Sequence, residues 1–465
     1  MDRKTKLVII GAGTAGLTAL SEARRHTDDV ILINDGPYGT TCARTGCMPS
    51  KVLLAVAHTY ARRGFLAKAG IEGTGQLRPD MPSVMRHVRG LRDRFASGAA
   101  KPALSLGDNS IAGAPRFIDA NTLEINDARI EADAVIIATG SRPVVPASWK
   151  PFMDRIITTE NFFEMDEFGD KIAVLGLGPV GVELGQGLAQ LGIEVHAFSM
   201  DPLIAGLSDP EINSFMIKTL EREINMYIGE PAEIKEAGGG RLAVSAGGKS
   251  VEVDRVIASL GRRPNIEGLG LETLGIELRE NGMPVFDPES LRLGSLPVFI
   301  AGDVSGLRPI MHEASDQGRI AAYNALNPDG ECLQRRTPLG IVFTSPNAAR
   351  AGLPFSALGD RDFVTGKTDF SGQGRALTEQ RAEGFIHVYA DRQTGKILGA
   401  EMAVPDGEHL AHLLAFAIQQ DATLDEMLKM PCYHPTVEEG LRSALQAARK
   451  QVTAPRSPGD LPLCL

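Results

Sequence analysis

The chain begins with a mostly polar lead and then four apolar residues, Leu7 to Ile10, that stop at the glycines of GAGTAG. A continuous apolar run closed by glycine predicts a strand buried on both faces. Apolar positions then recur at helical spacing to about Arg25, and a second apolar strand runs from Val30 to Ile33. Strand, glycine turn, helix, strand is the mononucleotide-binding order. Gly11, Gly13 and Gly16 would let backbone approach a pyrophosphate, with a helix start supplying the positive end. The same order returns as strand Ile172 to Leu175, then Gly176, Gly178 and Gly181, a helix to about Leu191 and a strand from Val195 to Phe198. One copy would carry little weight. Two copies in matching context predict two dinucleotide-binding domains.

Each glycine unit is followed by alternating segments that end in an apolar strand and glycine, Asn121 to Gly140 and Gly240 to Gly261. Both read as small antiparallel meanders. A later apolar strand, Pro297 to Val304, suggests a return to the first domain. From about Pro338 the order changes to strands (Gly340 to Phe343, Gly384 to Tyr389, Ile397 to Met402) and then helices (Glu408 to Gln419, Thr423 to Leu428, Val437 to Lys450). The expected fold class is therefore α/β, with two Rossmann-like dinucleotide-binding domains and a C-terminal α+β domain. The expected limits are 1–149, 150–268, a returning segment 269–336, 337–452, and a Pro-rich, mobile tail 453–465.

Composition narrows the function class. The 465 residues are 43% apolar and 23% charged, an ordinary soluble balance that forces no disulfide scaffold. Acidic residues outnumber basic ones, 58 to 48, for a net charge of -10, which gives no overall attraction to nucleic acid. Arg86, Arg89, Arg92 and Arg94 have helical spacing and read as a solvated helix face. No apolar run reaches the roughly 18 residues of a membrane span, so a cytoplasmic protein without a membrane partner is expected. Five scattered cysteines in a reducing compartment argue for chemistry at whichever pair lies close.

That pair is Cys42 and Cys47 in GTTCARTGCMPSK. Zinc would need further ligands at close spacing, and no other Cys or His pair here has that form. A structural disulfide over so short a loop would contribute little. The remaining reading is a redox pair. Pro49, Ser50 and Lys51 begin an apolar-periodic helix, so Cys47 sits where a helix dipole and a nearby lysine favour the thiolate.

The motifs GAGTAG, GTTCARTGCMPSK, ATGSRP, GLGPVGVELG, LGRRPN, IAGDV and YHPTVEE, in this order over nearly the whole chain, resemble those of the flavin-dependent disulfide oxidoreductases. The resemblance implies FAD on the first domain, a nicotinamide nucleotide on the second and a homodimer made by the C-terminal domain. It implies that Cys42 meets substrate and Cys47 faces the flavin. Lys51 is implied near the flavin, paired with Glu183, while His434 and Glu439 match the dyad that reaches the partner's disulfide. Such a base is needed because thiol exchange runs through the thiolate, and a carboxylate fixes the base's tautomer. Asp303, Thr139 and Gly140 are implied FAD contacts, as are Thr41, Gly113 and Met311. Gly261 is implied at the nicotinamide nucleotide.

Elimination within the family favours dihydrolipoyl dithiols as substrate, free or on a lipoyl-carrying protein, with NAD as acceptor and NADP not excluded. The alternatives are an NAD(P)H-driven reductase of another disulfide and a non-catalytic flavoprotein subunit. The sequence departs from the family at the ribose positions. Asn34, followed by Asp35, and Ser199 stand where acids are usual, and no Arg or Lys follows within Met200 to Leu207 to bind a 2'-phosphate. Arg44 stands where an apolar residue is common and reads as solvated. Cys432 reads as buried and inert. No role is assigned to Cys464.

Overall fold

The computed structural model describes residues 2–328, 330, 333–455 and 461. Strand β1 (Arg3–Ile10) lies parallel between β2 (Val30–Asn34) and the strand Ala128–Ile137, with Leu7 paired to Val30 on one side and Ala134 on the other. It starts well before its apolar run because Thr5, buried on the sheet, satisfies its hydroxyl by donating to the Asp29 carboxylate at 2.9 Å. Helix α1 (Thr14–Ala23) packs against the helix Met311–Leu326 over one face. The short strand Val298–Ile300 pairs in parallel with Val135–Ile137, so the chain does come back to this sheet.

The second sheet is wholly parallel, in the order Asn225–Ile228, Glu194–Ser199, Lys171–Leu175, Arg255–Ala258, Ile156–Ile157. Its meander, Glu233–Gly238, Arg241–Ala246 and Lys249–Val253, forms a separate antiparallel sheet. In the first sheet the corresponding strands run on into Ala128–Ile137 itself. The two meanders are thus alike in sequence pattern and different in attachment.

The C-terminal region has five antiparallel strands, of which Asn347–Gly352 and Phe363–Asp369 escape the alternation reading. Asn347–Gly352 reads NAARAG and carries no β-branched or aromatic residue. It is held by burial instead: Ala348 and Ala351 are fully enclosed, under the helix Gly407–Gln419. The helix Glu438–Arg449 lies so close on Phe363–Asp369 that a Cβ on Gly366 would meet the Ala444 carbonyl at 2.0 Å.

One hydrophobic core joins two helices of the first region to the second parallel sheet and the edge of the C-terminal sheet. It contains Leu53 and Ala57, Met85 and Val88, most of the second parallel sheet, and Val342, Ala348 and Ala403 of the C-terminal sheet. The arginines of the helix Met81–Leu104 are not all solvated as expected. Arg92 is buried and pairs with Glu164 and Asp93, while Arg89 pairs with Asp166 and donates to the Met165 carbonyl at 3.0 Å, so both fasten this helix to the segment before the second sheet. Among the described residues no helix is long and apolar enough to cross a membrane. Most of the Pro-rich tail, with Cys464, lies outside the described residues.

Candidate functional site

The redox stretch folds as two helices. α2 (Thr41–Thr45) carries Cys42, and α3 (Cys47–Ala61) begins at Cys47 itself, two residues before the expected Pro49. Gly46 forms the break between them with φ −134° and ψ −118°. Thr40 caps α2 by accepting from the Ala43 N–H at 3.1 Å, although a φ of 52° is unusual for a β-branched residue. A thiol at the first position of a 15-residue helix faces unpaired backbone N–H groups, which favour its anion.

Both cysteines are free thiols, Cys42 half-buried and Cys47 exposed. The Cys42 thiol donates a hydrogen bond to the Cys47 sulfur, and this, opposed by burial and aided by the Lys51 ammonium, brings Cys47 down to about 7. The same hydrogen bond, with burial, pushes Cys42 well above an ordinary thiol. When the pair gives up one of its two protons, the one that remains stays on Cys42 and the negative charge falls on Cys47.

One turn further along α3, the Lys51 ammonium meets both oxygens of Glu183, at 2.9 and 2.7 Å. Glu183 is 5% exposed, on the helix Pro179–Gln190 that opens with the second glycine motif. A buried carboxylate needs more than one partner. Its second is the Phe343 N–H at 2.8 Å, and the Phe343 ring lies 4.7 Å from the ammonium. Three parts of the chain thus meet at Lys51.

His434 stands apart at the start of the last helix, its side chain 79% exposed. Its Nδ1 is 2.9 Å from Glu439 Oε1, and Glu439 Oε2 accepts from the Thr436 N–H. The hydrogen bond from His434 lowers the Glu439 carboxyl below its usual range. Nδ1 is therefore the nitrogen that donates to Glu439, which fixes the orientation of the ring. Cys432 is half-buried rather than buried, with its thiol pushed up mainly by burial. Arg44 is half-buried with its Cδ against Gly39, not fully solvated.

The two glycine motifs superimpose in their physics. A Cβ on Gly11 would meet the Ala138 carbonyl at 2.3 Å, and one on Gly176 would meet the Ser259 carbonyl at 2.3 Å. A Cβ on Gly16 or Gly181 would strike the first glycine's carbonyl at 1.8 or 1.9 Å. At Gly13 and Gly178, in contrast, a Cβ would meet nothing within 4 Å: each helix start faces open space. Gly140 and Gly261, beyond the neighbouring strand ends, are equally open. This is a cradle of helix N-terminal backbone open to an anion such as a pyrophosphate, made twice. The residues present fit FAD at the first and a nicotinamide nucleotide at the second.

Around the first cradle, Asn34 accepts from the Ala12 N–H at 2.9 Å and donates to the Gly36 carbonyl at 2.8 Å, so its amide braces the glycine loop. Asp35 is exposed beside it. Gly113 donates its N–H to the Asn34 carbonyl, Thr41 is the exposed first residue of α2, and Met311 opens the helix Met311–Leu326 with 51% exposure. Asp303 accepts from Ser141 Oγ at 2.7 Å, and Arg262 donates to the same Oγ at 2.7 Å. Thr139 is stitched to Asn265 by hydrogen bonds in both directions. Ser141, Arg262 and Asn265 were not singled out from the sequence; ATGSRP and LGRRPN both showed as motifs, but their pairing as a two-stranded ribbon joins distant segments. Around the second cradle, Ser199 is buried and donates to the Asp201 carbonyl at 2.8 Å. Among the described residues no group of three or more His, Cys, Asp or Glu could hold a metal ion.

Known proteins share this plan. The profile of the pyridine nucleotide-disulphide oxidoreductases matches residues 5–318, and that of their dimerisation domain matches 339–445. The chain is 28% identical to dihydrolipoyl dehydrogenase 3 of Haloarcula marismortui, covering 96% of this chain and 97% of that one. It is also 28% identical to an NAD(P)H dehydrogenase (quinone) of Mycobacterium tuberculosis (95% and 93%) and 27% identical to a mercuric reductase of Staphylococcus aureus (97% and 84%). The solved structure of LpdA from M. tuberculosis matches with a TM-score of 0.82 at 26% identity, covering 96% of this chain and 99% of that one. The dimerisation-domain match supports a homodimer, and the family uses FAD and a nicotinamide nucleotide. With the motifs, the twin cradles and both domain profiles in agreement, the chain belongs to the pyridine nucleotide-disulphide oxidoreductases.

Proposed function

We propose that this protein is a dihydrolipoyl dehydrogenase, oxidising the dithiol of a dihydrolipoyl group, free or on a carrier protein, through the Cys42–Cys47 pair and FAD to NAD. The observation that carries the reading is the placement of the two thiols, Cys42 on α2 and Cys47 at the first position of α3 one turn before the Lys51–Glu183 pair, which favours the anion on Cys47. When the pair is a disulfide, a substrate thiolate attacks the Cys42 sulfur, the S–S bond breaks and Cys47 leaves as a thiolate. A low pKa makes it the better leaving group. The second substrate thiol gives its proton to a base and attacks the substrate sulfur now bonded to Cys42, so that this mixed disulfide breaks and Cys42 leaves as a thiolate. Substrate then leaves as a disulfide, and Cys42 recovers a proton. Two electrons and one proton have moved from the substrate to the Cys42–Cys47 pair. His434 is the base, its Nε2 free while Glu439 holds Nδ1. FAD, which the first glycine cradle would hold, would supply the two-electron acceptor.

The exposure of His434 fits a base that serves the pair of the partner subunit. The domain limits that accompany this reading are 1–149 with 269–336 for FAD, 150–268 for the nicotinamide nucleotide and 337–452 for the dimer. A second reading, an NADPH-driven reductase of another disulfide, is favoured by one observation, the absence of an acid at Ser199. Anaerobic titration of the flavoprotein with dihydrolipoamide separates the two. The first reading expects a long-wavelength thiolate-to-flavin absorption that NAD discharges; an unchanged spectrum, with the absorption produced by NADPH instead, overturns it.

A further inference from the structure

The helix Pro179–Gln190 presents a polar stripe, Glu183, Gln186 and Gln190, all at most 9% exposed, to α3 and to the segment Phe343–Ser345. The hydrogen-bond orientations along it can be worked out from fixed donors. The Ser345 N–H donates to Gln186 Oε1 at 2.8 Å, so Gln186 turns its amide nitrogen to Glu223 Oε2, at 2.9 Å. Glu223 is exposed and also accepts from the Gln190 amide nitrogen, at 3.2 and 3.3 Å. That leaves Gln190 Oε1, an acceptor, 2.7 Å from His58 Nδ1. His58 Nε2 is 2.9 Å from the Phe343 carbonyl, another acceptor. Facing acceptors on both sides, the ring is satisfied only when both nitrogens carry protons. Its place in the last turn of α3 suits a cation.

Phe343 is gripped at both ends of its backbone. Its carbonyl takes the His58 proton and its N–H supports Glu183, while its ring lies by Lys51. We propose that His58 is a positioning residue for the Lys51–Glu183 pair, clamping the Phe343 peptide so that its N–H holds the Glu183 carboxylate and, through it, the Lys51 ammonium beside Cys47. This rests on the redox reading of Cys42 and Cys47 and adds to it a residue eleven positions along the same helix.

The test compares two variants of the FAD-loaded protein, His58→Leu, which fills similar space without a donor, and His58→Gln, whose amide can still reach the Phe343 carbonyl. Each is reduced anaerobically with one equivalent of dithionite, and the thiolate-to-flavin absorption is followed against pH. The clamp predicts that the midpoint rises by about half a pH unit or more in His58→Leu, as Lys51 loses its fixed place, and stays near wild type in His58→Gln. An unmoved midpoint in His58→Leu, or equal shifts in both, overturns it. Should His58→Leu not fold, ¹⁵N-histidine NMR of the wild-type protein at neutral pH decides: a proton on His58 Nε2 supports the clamp, and an Nε2 without one refutes it. A wild-type protein lacking the absorption at every pH would refute the redox reading instead, and the NMR result would still decide the clamp.

Discussion

Lys51 and Glu183 meet inside the molecule, whereas His434 and Glu439 meet on its surface, although each pair sets a side-chain nitrogen against a carboxylate. The Glu183 side chain is 7% exposed and tied to three segments, while the His434 ring is 79% exposed and tied only to its own helix start. The buried pair belongs to the fold as much as to the chemistry, since removing one partner strands the others. The exposed pair adds little to folding and awaits another surface. Position in the molecule, more than residue type, separates a group that must be built in from one that must be brought.

Predictions that break or sharpen this contrast begin with the thiol between the two pairs. Cys47→Ser should abolish dithiol oxidation while FAD stays bound, and retained turnover would refute the assignment of the redox pair. His434→Gln should slow dithiol oxidation by about 10²–10⁴-fold, the usual worth of a general base, with reduction of the flavin by NADH nearly unaffected in stopped flow. Equal loss in both half-reactions would place His434 elsewhere in the cycle.

Stability should divide the pairs the other way. Glu183→Ala leaves the Phe343 N–H without its acceptor and should cost about 1–3 kcal/mol in urea unfolding, against under about 0.5 kcal/mol for Glu439→Ala. The contrast fails if the two costs match. Titration gives a further check. Because Cys47 is held down to about 7, its thiolate is complete above that pH and is lost as pH falls through it. The thiolate-to-flavin absorption should therefore halve near pH 7, and a midpoint near that of an ordinary thiol would show that Cys42 and Lys51 do not stabilise the anion. The smallest effect is expected at the second cradle, where Ser199→Glu should lower the use of NADP relative to NAD by about tenfold through repulsion of the 2'-phosphate. An unchanged ratio of kcat/KM values would mean that position 199 does not face the ribose.

Much of the architecture could be read from periodicity, because the parallel strands are continuous apolar runs such as Leu7–Ile10 and Ile172–Leu175 that nothing else explains. Asn347–Gly352 could not, since alanines become a strand only when a helix and a sheet enclose them. The active stretch was visible in Cys42 and Cys47, yet the helix start at Cys47 itself was not, as Gly46 rather than proline sets it. Lys51 and Glu183, 132 positions apart, came together only through family resemblance. His58, Gln190 and Glu223 gave no signal, because hydrogen-bond direction is a property of three-dimensional neighbours. Arg89 and Arg92 misled for the same reason: helical spacing fixes their face but not what covers it.

Leu53 and Ala57 lie on the helix that begins with Cys47, yet the core they enter is that of the second parallel sheet and extends to Ala348 and Ala403. The thermal behaviour should reflect this sharing. Calorimetry should find the second sheet and the C-terminal sheet melting in one cooperative step that also releases the thiols, rather than in separate transitions for each domain. A fragment ending near residue 336 would lose Val342, Ala348 and Ala403 from that core and should be recovered mainly as aggregate, so the helix that carries Cys47 depends on the C-terminal sheet for its footing.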